Sequence, residues 1–354
     1  MNGVSSDILV VGAGPTGLTA ALELARLGMV PTVIDRREGP SGLSRAVGII
    51  PPSMDILAPS GAARAIRDEA VVIGQAQFHA GRFRFASLTL DHGEGAQLLA
   101  LPQDRTEHHL RVALERYGGR VDYGQALEEL TERPDHVEVR INGEARRFGH
   151  VIGADGVGSR VRAAMGVGFE GYDLPETWSI ADVEAPGWRE PENFQGFFGR
   201  QGRTVIVIPL AATRFRLISN TPDALATLPV PMEVERVYRA GTFRISVRQV
   251  TAYATARVFL AGDAAHCHSP VGGRGMNLGI ADAGDLAARF ASGGLAGYHA
   301  ARHAEGRRVI ELSERARKAL MQGGALRRGM FYGLMAVMMS LPIQRRLAGQ
   351  VLDV

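Results

Sequence analysis

Three glycines and one carboxylate near the N-terminus have the types and spacing to hold the phosphates and ribose of a nucleotide. Gly12, Gly14 and Gly17 follow the apolar run ILVV, and an alanine- and leucine-rich helical pattern follows them and ends at Gly28. The first glycine permits a sharp reversal, the second lets a pyrophosphate approach the backbone, and the third lets helix pack on strand. Asp35 ends a second predicted strand about 20 residues later, where its carboxylate can accept ribose hydroxyls. The pattern predicts a dinucleotide-binding turn but does not choose between a flavin and a nicotinamide.

Two later glycine-rich turns also carry acids. In VIGADGVGSRVR, residues 151–162, a predicted strand leads to Asp155 and then to a helix that Ser159 can cap. Taken alone, that stretch is also compatible with an ordinary strand-to-helix turn. In VFLAGDAAH a strand delivers Asp263 to a turn, and SPVGGRGMNLG then opens a helix at Asn277. A second acid-bearing turn and a second helix N-terminus so late in the chain favour a long flavin nucleotide over a nicotinamide.

The predicted elements give an α/β fold: a Rossmann-like FAD-binding domain interrupted by a β-sheet substrate domain, with C-terminal helices. We expect residues 1–70, 102–168 and 252–295 in the first domain, 71–101 and 169–251 in the second, and 296–354 in the helical segment. Alternation in QAQFHA predicts hairpin strands, and Leu110 and Leu114 share one face of a helix over residues 103–118. One further helix is expected near residues 232–240.

Composition excludes several classes of protein. The only cysteine, Cys267, rules out an internal disulfide framework and multi-cysteine metal sites. His266 and His268 lack a carboxylate at helical spacing, so no metal is expected. The 40 basic and 37 acidic residues are spread along the chain without a basic stripe, so no nucleic-acid partner is implied.

Location is inferred from what flanks the first strand and from one apolar stretch. MNGVSSD carries no export pattern, so we expect a cytoplasmic protein. Residues 329–344, GMFYGLMAVMMSLPIQ, are fewer than the roughly 20 that span a bilayer, so no transmembrane segment is expected. Packing against the body of the protein is one interpretation of this stretch. Peripheral contact with a membrane or with an apolar partner is the other.

The order and separation of the three turns resemble those of the group A FAD-dependent aromatic hydroxylases, related to p-hydroxybenzoate and phenol hydroxylases. The matching motifs are GxGxxG at residues 12–17, the DG motif at 153–162 and the GD motif at 262–270. The end, PIQRRLAGQVLDV, resembles the point where phenol-hydroxylase-like members continue into a thioredoxin-like domain. We therefore expect a compact member without that domain.

The resemblance implies which residues contact the cofactor. Asp35 would bind the adenosine ribose, Arg45 the phosphates of FAD and NADPH, and Asp263 the ribityl hydroxyls. The backbone at residues 275–277 would face the pyrimidine edge of the flavin, where a helix N-terminus stabilises the negative charge of the reduced ring. The full expected set is Gly12, Gly14, Pro15, Thr16, Gly17, Asp35, Arg36, Arg45, Gln103, Asp155, Gly262, Asp263, Pro270, Gly275, Met276 and Asn277.

The implied reaction uses noncovalent FAD, NAD(P)H as co-substrate and O2 to hydroxylate an aromatic or polycyclic phenol through a flavin C4a-hydroperoxide. The substrate would lie between the isoalloxazine and the sheet. Apolar residues such as Phe78, Ile206, Val207 and Leu210 favour an uncharged ring. An anionic ring would require an inward arginine.

The facing of Arg214, Arg216 and Arg248 cannot be predicted from the sequence. His79, Tyr253 and Arg248 are candidates to assist deprotonation of the phenol, and none of them is assigned as the base.

Two alternative functions share this layout: a prenyl-chain or related flavoprotein reductase, and a non-catalytic flavin-binding accessory protein. A flavin-dependent halogenase is disfavoured, because Trp178 and Trp188 do not form the required motif and Lys318 is the only lysine.

Overall fold

The computed structural model describes residues 5–42, 46–91, 93, 96–321 and 324–340. Arg45, which was expected at the cofactor phosphates, lies outside these residues. The elements are numbered along the chain.

A five-stranded parallel sheet carries the glycine turns. Its spatial order is β20 (Val258–Leu260), β12 (His150–Gly153), β1 (Ser5–Val11), β2 (Val30–Asp35) and β8 (Val121–Tyr123), with every neighbouring pair parallel. Leu9, Val10 and Ile152 are fully buried, as expected for central parallel strands with both faces covered. Because parallel strands end at the same edge, β1, β12 and β20 deliver their three turns to one side of the sheet.

Nine helices are found in the described part of the chain. They are α1 (Pro15–Arg26), α2 (Pro51–Leu57), α3 (Ala62–Glu69), α4 (Gln103–Arg116), α5 (Arg160–Met165), α6 (Ala224–Thr227), α7 (Gly275–Ser292), α8 (Tyr298–Met321) and α9 (Ala325–Ser340). Helix α1 packs against both α4 and α7. Leu110 and Leu114 are fully buried, which confirms the predicted apolar face of α4.

A seven-stranded sheet joins two segments that are far apart in sequence. Its order is β18 (Arg236–Phe243), β14 (Trp178–Glu184), β17 (Arg214–Ser219), β16 (Thr204–Pro209), β15 (Phe194–Phe198), β5 (Gln75–Ala80) and β6 (Phe83–Thr89). Only β15 and β5 are parallel; the other neighbours are antiparallel. This mixed α/β architecture is the fold class predicted from the sequence.

The described residues also form three small sheets of three strands each. They comprise β9 (Leu127–Glu132), β10 (Val137–Ile141) and β11 (Glu144–Phe148); β13 (Phe169–Asp173), β19 (Ser246–Val250) and β21 (His266–Cys267); and β3 (Gly48–Ile49), β7 (Leu99–Ala100) and β4 (Val71–Val72). Strand β19 pairs with β13 on one side and with β21 of the GD motif on the other, so the β-rich segments are not confined to the seven-stranded sheet.

The helix expected near residues 232–240 is wrong. Residues Arg236–Phe243 form β18, the edge strand that pairs with β14 along its whole length. Val237, Tyr238, Thr242 and Phe243 favour extended backbone, and pairing across the sheet decides the conformation.

Helix α9 packs on β6, where the ring of Tyr332 stacks on Phe85 with centroids 4.8 Å apart. Its other side leaves Met330, Leu334 and Val337 more than half exposed. Among the described residues, no helix combines the length and apolar character needed to cross a bilayer.

Candidate active site

The first glycine turn has the shape that a pyrophosphate requires. A Cβ on Gly12 would lie 2.4 Å from the carbonyl oxygen of Ala154, and one on Gly17 would lie 1.9 Å from the carbonyl oxygen of Gly12. At Gly14 a Cβ would meet nothing within 4 Å, so the backbone there borders open space. Gly14 also caps α1 without a side-chain hydrogen bond, with Pro15 at the first helical position. The N–H groups of the first turn therefore remain available to an anion.

The three motifs meet in space. Gly12 packs against Ala154 and Asp155 of the DG motif. Thr16 packs against the GD motif and α7, since a Cβ on Gly262 would lie 2.5 Å from its Oγ1 and one on Gly279 would lie 2.2 Å from it. Residues separated by about 250 positions thus form one continuous surface, which fits an extended dinucleotide.

Asp35 already binds groups of its own chain. Its carboxylate accepts hydrogen bonds from the Ala13 N–H at 2.8 Å and from the Arg37 N–H, Nε and Nη2 at 2.9, 3.0 and 2.8 Å. Burial alone would raise the pKa of Asp35, but these bonds hold the pKa below its ordinary value. Arg36 is exposed, and it is Arg37 that contacts the acid. Arg37, which is not in the set expected from the sequence, is therefore the neighbour that engages Asp35.

Gln103 fixes the segment that follows β2. Its Nε2 donates to Glu107 Oε1 at 2.9 Å, and its Oε1 accepts the Ala46 N–H at 3.3 Å. Burial raises the pKa of Glu107, whose carboxylate also lies 3.7 Å from Arg37. Ala46, α4 and the end of β2 are thereby linked at the expected adenosine end of the site.

Asp155 shapes the DG turn. Its carboxylate accepts hydrogen bonds from the Ser159 hydroxyl at 2.5 Å and from the Arg160 N–H at 2.7 Å. Ser159 in turn accepts the Arg162 N–H at 2.9 Å, which confirms the predicted cap of α5. The Arg162 guanidinium donates to the carbonyl of Ala264 at 2.9 Å, so α5 is hydrogen-bonded to the GD motif.

The GD turn presents an exposed carboxylate beside a buried thiol. Asp263 is exposed, while its neighbour Gly262 is buried with φ +61°. Cys267 is free and buried, and burial raises the pKa of its thiol far above its ordinary value. A buried, protonated thiol is typical of a small packing side chain and not of a reactive thiolate.

Helix α7 offers its first turn to the site. The Asn277 side chain is hydrogen-bonded within the protein. Its Oδ1 accepts from the Ile50 N–H at 3.2 Å and from Ser53 Oγ at 2.9 Å, and its Nδ2 donates to the Gly48 carbonyl at 3.0 Å. Met276 is buried, Pro270 and Gly275 are half-buried, and α7 has no side-chain cap. Contact with a ligand here falls to backbone N–H groups, as the resemblance implies.

The two faces of the seven-stranded sheet differ in the residues that they carry. Val205, Val207, Phe215 and Leu217 are buried together on one face. On the other face Asp182, Arg216 and Ile208 lie directly opposite one another on β14, β17 and β16. Val207 therefore faces away from Ile206, because alternate residues of a strand point to opposite sides.

A buried ion pair occupies the face with Ile206 and Ile208. Arg216 and Asp182 are 0% and 3% exposed. Arg216 Nε and Nη2 each donate to the Asp182 carboxylate at 2.7 Å, and Nη1 donates to the Ala46 carbonyl at 3.3 Å. This face therefore packs toward the segment that Gln103 holds.

The candidates for deprotonation are engaged elsewhere. His79 stacks on Phe197 with ring centroids 4.6 Å apart, and burial lowers the pKa of its imidazole. Tyr253 is fully buried, and burial raises the pKa of its phenol. Arg248 pairs with Asp173 at 3.2 Å at the protein surface. None of them is assigned as a base.

Comparison with known proteins identifies the class. A family model described as FAD binding domain matches residues 5–222 and 211–313. Rifampicin monooxygenase of Streptomyces venezuelae is 32% identical over a match that covers 89% of this chain and 71% of that protein. Pentachlorophenol 4-monooxygenase of Sphingobium chlorophenolicum is 31% identical over a match that covers 82% of this chain and 59% of that protein. The crystal structure of p-nitrophenol 4-monooxygenase from Pseudomonas putida has the same fold, with a TM-score of 0.87 at 21% identity over 99% of this chain and 98% of that one.

The chain belongs to the FAD-binding family of group A aromatic hydroxylases. It is an FAD-dependent monooxygenase, with NAD(P)H as the co-substrate typical of the family. It spans between 55% and 74% of the length of the curated relatives that it matches.

Proposed function

We propose that the protein transfers one oxygen atom from O2 to an uncharged aromatic or polycyclic phenol bound against the seven-stranded sheet. The observation that carries this proposal is the bidentate pairing of Arg216 with Asp182 on the face that also carries Ile206 and Ile208. An arginine used to bind a carboxylated ring must have a guanidinium edge free for that carboxylate. The bidentate bond from Arg216 to Asp182 occupies that edge instead.

The neighbouring isoleucines support an apolar substrate. Ile206 and Ile208 are only half-buried, although Val205 and Val207 on the same central strand are fully buried. A central strand with one open face leaves room for a ligand, and its lining here is aliphatic. Flat aromatic rings suit such a surface because they bury apolar area without requiring charge compensation.

The cofactor is proposed to lie along the three turns. The Gly14 backbone and the first turn of α1 would bind the pyrophosphate, the exposed Asp263 carboxylate would accept the ribityl hydroxyls, and the first turn of α7 would face the pyrimidine edge. Bound FAD supplies the redox chemistry, receiving electrons from NAD(P)H and activating O2. The chain positions the two reactants and excludes water.

A screen of substrates under labelled oxygen tests the proposal. Neutral phenols, polycyclic phenols and carboxylated phenols are compared for stimulation of NADPH oxidation and for incorporation of one labelled oxygen atom. Incorporation into neutral rings is expected. Stimulation by carboxylated rings alone would overturn the substrate class, and stimulated reduction of a prenyl chain without label would favour the reductase. Flavin binding with no stimulated NADPH oxidation would favour the accessory protein.

Variants of the ion pair sharpen this test. Asp182→Asn leaves Arg216 without its counter-ion, so carboxylated rings should gain kcat/KM relative to neutral rings, by about tenfold or more for one charge-assisted hydrogen bond. Asp173→Asn removes the partner of the surface arginine Arg248 and should leave the preference unchanged.

A double variant keeps the proposal testable if Asp182→Asn does not fold. Replacing a buried pair by apolar residues is often tolerated. Asp182→Leu combined with Arg216→Met should therefore keep kcat/KM for neutral rings within about tenfold of the wild type. A folded double variant that has lost the neutral substrates would show that Arg216 binds them directly.

Location is also proposed. A cytoplasmic site of action is supported by the need for NAD(P)H. The exposed stripe of Met330, Leu334 and Val337 supports peripheral contact with anionic lipid, since arginines bracket this stretch in the sequence at residues 327, 328, 345 and 346. Co-sedimentation with anionic vesicles that Leu334→Glu abolishes would support the contact. Equal sedimentation of both proteins would contradict it.

A further inference from the structure

Asp282 is a buried carboxylate outside the three glycine motifs. It lies on α7, and its side chain has no exposed surface. It accepts hydrogen bonds from the Gly262 N–H at 2.9 Å, from His266 Nε2 at 2.6 Å and from Arg302 Nε at 2.6 Å. One carboxylate therefore joins the GD turn, β21, α7 and α8.

The carboxylate is held ionised by these partners. Burial by itself would raise the pKa of Asp282, but the charges of His266 and Arg302 and the three hydrogen bonds hold the pKa below its ordinary value. A buried carboxylate with three donors is far costlier to disturb than a surface ion pair. The position of this group is thus fixed on every side by a separate element.

Gly262 is the partner of Asp282 that contacts the first glycine motif. A Cβ added to Gly262 would lie 2.5 Å from Oγ1 of Thr16 in that motif. Its N–H is bound by Asp282, and its chain neighbour is the exposed Asp263. A shift of Gly262 would therefore change both the spacing of the first and third motifs and the direction of the Asp263 carboxylate.

We propose that Asp282 is a positioning residue for FAD: through Gly262 it sets Asp263 and the start of α7 at the distance from the first glycine turn that the cofactor requires. This inference rests on the proposed placement of FAD against Asp263 and α7. Asp282 acts through the turn and touches neither FAD nor substrate.

The first experiment compares Asp282→Asn with Asp285→Asn. Asp285 lies one turn further along α7 and pairs with Arg289 at 2.8 Å in a half-exposed i,i+4 bridge, so the same substitution there is a matched control. The deflavinated protein is titrated with FAD, and the quenching of flavin fluorescence gives Kd. The Kd should rise about tenfold or more in Asp282→Asn, as for loss of a hydrogen bond to a charged group, and should change little in Asp285→Asn. Equal Kd values for the two variants would overturn the proposal.

A pair of double variants separates positioning from stability. Both contain Arg302→Met, so neither leaves that guanidinium buried without its partner. One contains Asp282→Asn, whose amide oxygen can still accept the Gly262 N–H, and the other contains Asp282→Leu, which cannot. Positioning through Gly262 predicts weaker FAD binding and a shifted flavin reduction potential in the Leu variant than in the Asn variant, at similar Tm of the deflavinated proteins. Equal Kd values and potentials would overturn the proposal.

Asp263→Asn shows whether the cofactor placement itself holds. A higher Kd in Asp263→Asn supports the placement on which the inference rests. If Asp263→Asn weakens FAD binding and the Asp282 variants do not, the positioning role fails while the placement stands. If Asp263→Asn leaves the Kd unchanged, the placement fails, and with it the inference.

Discussion

At the scale of single residues, the acids of the motifs are already engaged by their own chain. Asp35 accepts four hydrogen bonds, three of them from Arg37, and Asp155 accepts three from the turn and helix that follow it. A carboxylate has about four lone-pair positions, so the ribose hydroxyls can reach Asp35 only where Arg37 gives a position up. We therefore expect Arg37 to compete with ribose hydroxyls for the Asp35 carboxylate.

Replacing Arg37 by alanine tests this competition. Loss of its side-chain bonds to Asp35 should lower the free energy of unfolding of the deflavinated protein by about 1 kcal/mol, because Arg37 is one-third exposed and solvent screens the pair. FAD should stabilise Arg37→Ala by at least as much as it stabilises the wild type, since ribose hydroxyls take the vacated positions. Urea unfolding with and without FAD measures both quantities.

Arg140→Ala is the control for this variant, because Arg140 of β10 pairs with Glu129 of β9 at 3.1 Å on an exposed surface, outside the expected cofactor set, and its loss should leave the stabilisation by FAD unchanged. Weaker FAD binding in Arg37→Ala than in Arg140→Ala would show instead that Arg37 binds the nucleotide itself.

At the scale of elements, the loop between β21 and α7 contains a histidine that must stay neutral. Burial lowers the pKa of His268 to about 4. Its Nδ1 lies 2.8 Å from the Ser269 carbonyl oxygen, which can only accept, so Nδ1 carries the proton. Through this hydrogen bond the neutral imidazole stabilises the loop that leads to the start of α7.

Acid should therefore weaken this loop. The unfolded chain binds a proton at His268 near its ordinary pKa, and the folded chain does so only near pH 4. The stabilisation is present above pH 6.5 and is lost as the pH falls toward 4. Between pH 7 and pH 5 the free energy of unfolding of the wild type should fall by about 1–2 kcal/mol more than that of His268→Asn. Urea unfolding at the two pH values measures this, and parallel losses in both proteins would refute the assignment.

At the scale of the whole molecule, the cofactor site is assembled from segments far apart in sequence. Gly12 packs on Ala154, Thr16 packs on Gly262 and Gly279, and Arg216 of the seven-stranded sheet reaches Ala46. A ligand that binds all of these segments binds the folded state and not the unfolded chain. FAD should therefore stabilise the molecule globally.

Removal of FAD tests this. At a free FAD concentration of 100 times Kd, the holoprotein should be about 2.7 kcal/mol more stable than the deflavinated protein, and Tm should rise with FAD concentration. Because we expect FAD to bind noncovalently, acid precipitation should leave all flavin in the supernatant. Flavin retained in the pellet, or a Tm independent of FAD, would contradict the prediction.

Local patterns in the sequence determined much of the nucleotide-binding half. The glycine turns, the strands that precede them, the serine cap of α5 and the buried face of α4 each depend on residues a few positions apart, where backbone sterics and periodicity act directly. Together they were enough to indicate FAD and the family.

The tertiary structure decided what depends on contacts between distant segments. Pairing with β14 made residues Arg236–Phe243 a strand instead of a helix, because an edge strand gains its hydrogen bonds from a neighbour about 60 positions away. The facing of Arg216 and its neutralisation by Asp182, 34 residues earlier, were likewise set by strand register. No sequence motif marks Asp282 as a positioning residue. Its hydrogen-bond partners Gly262, His266 and Arg302 come together at its carboxylate only in the folded chain.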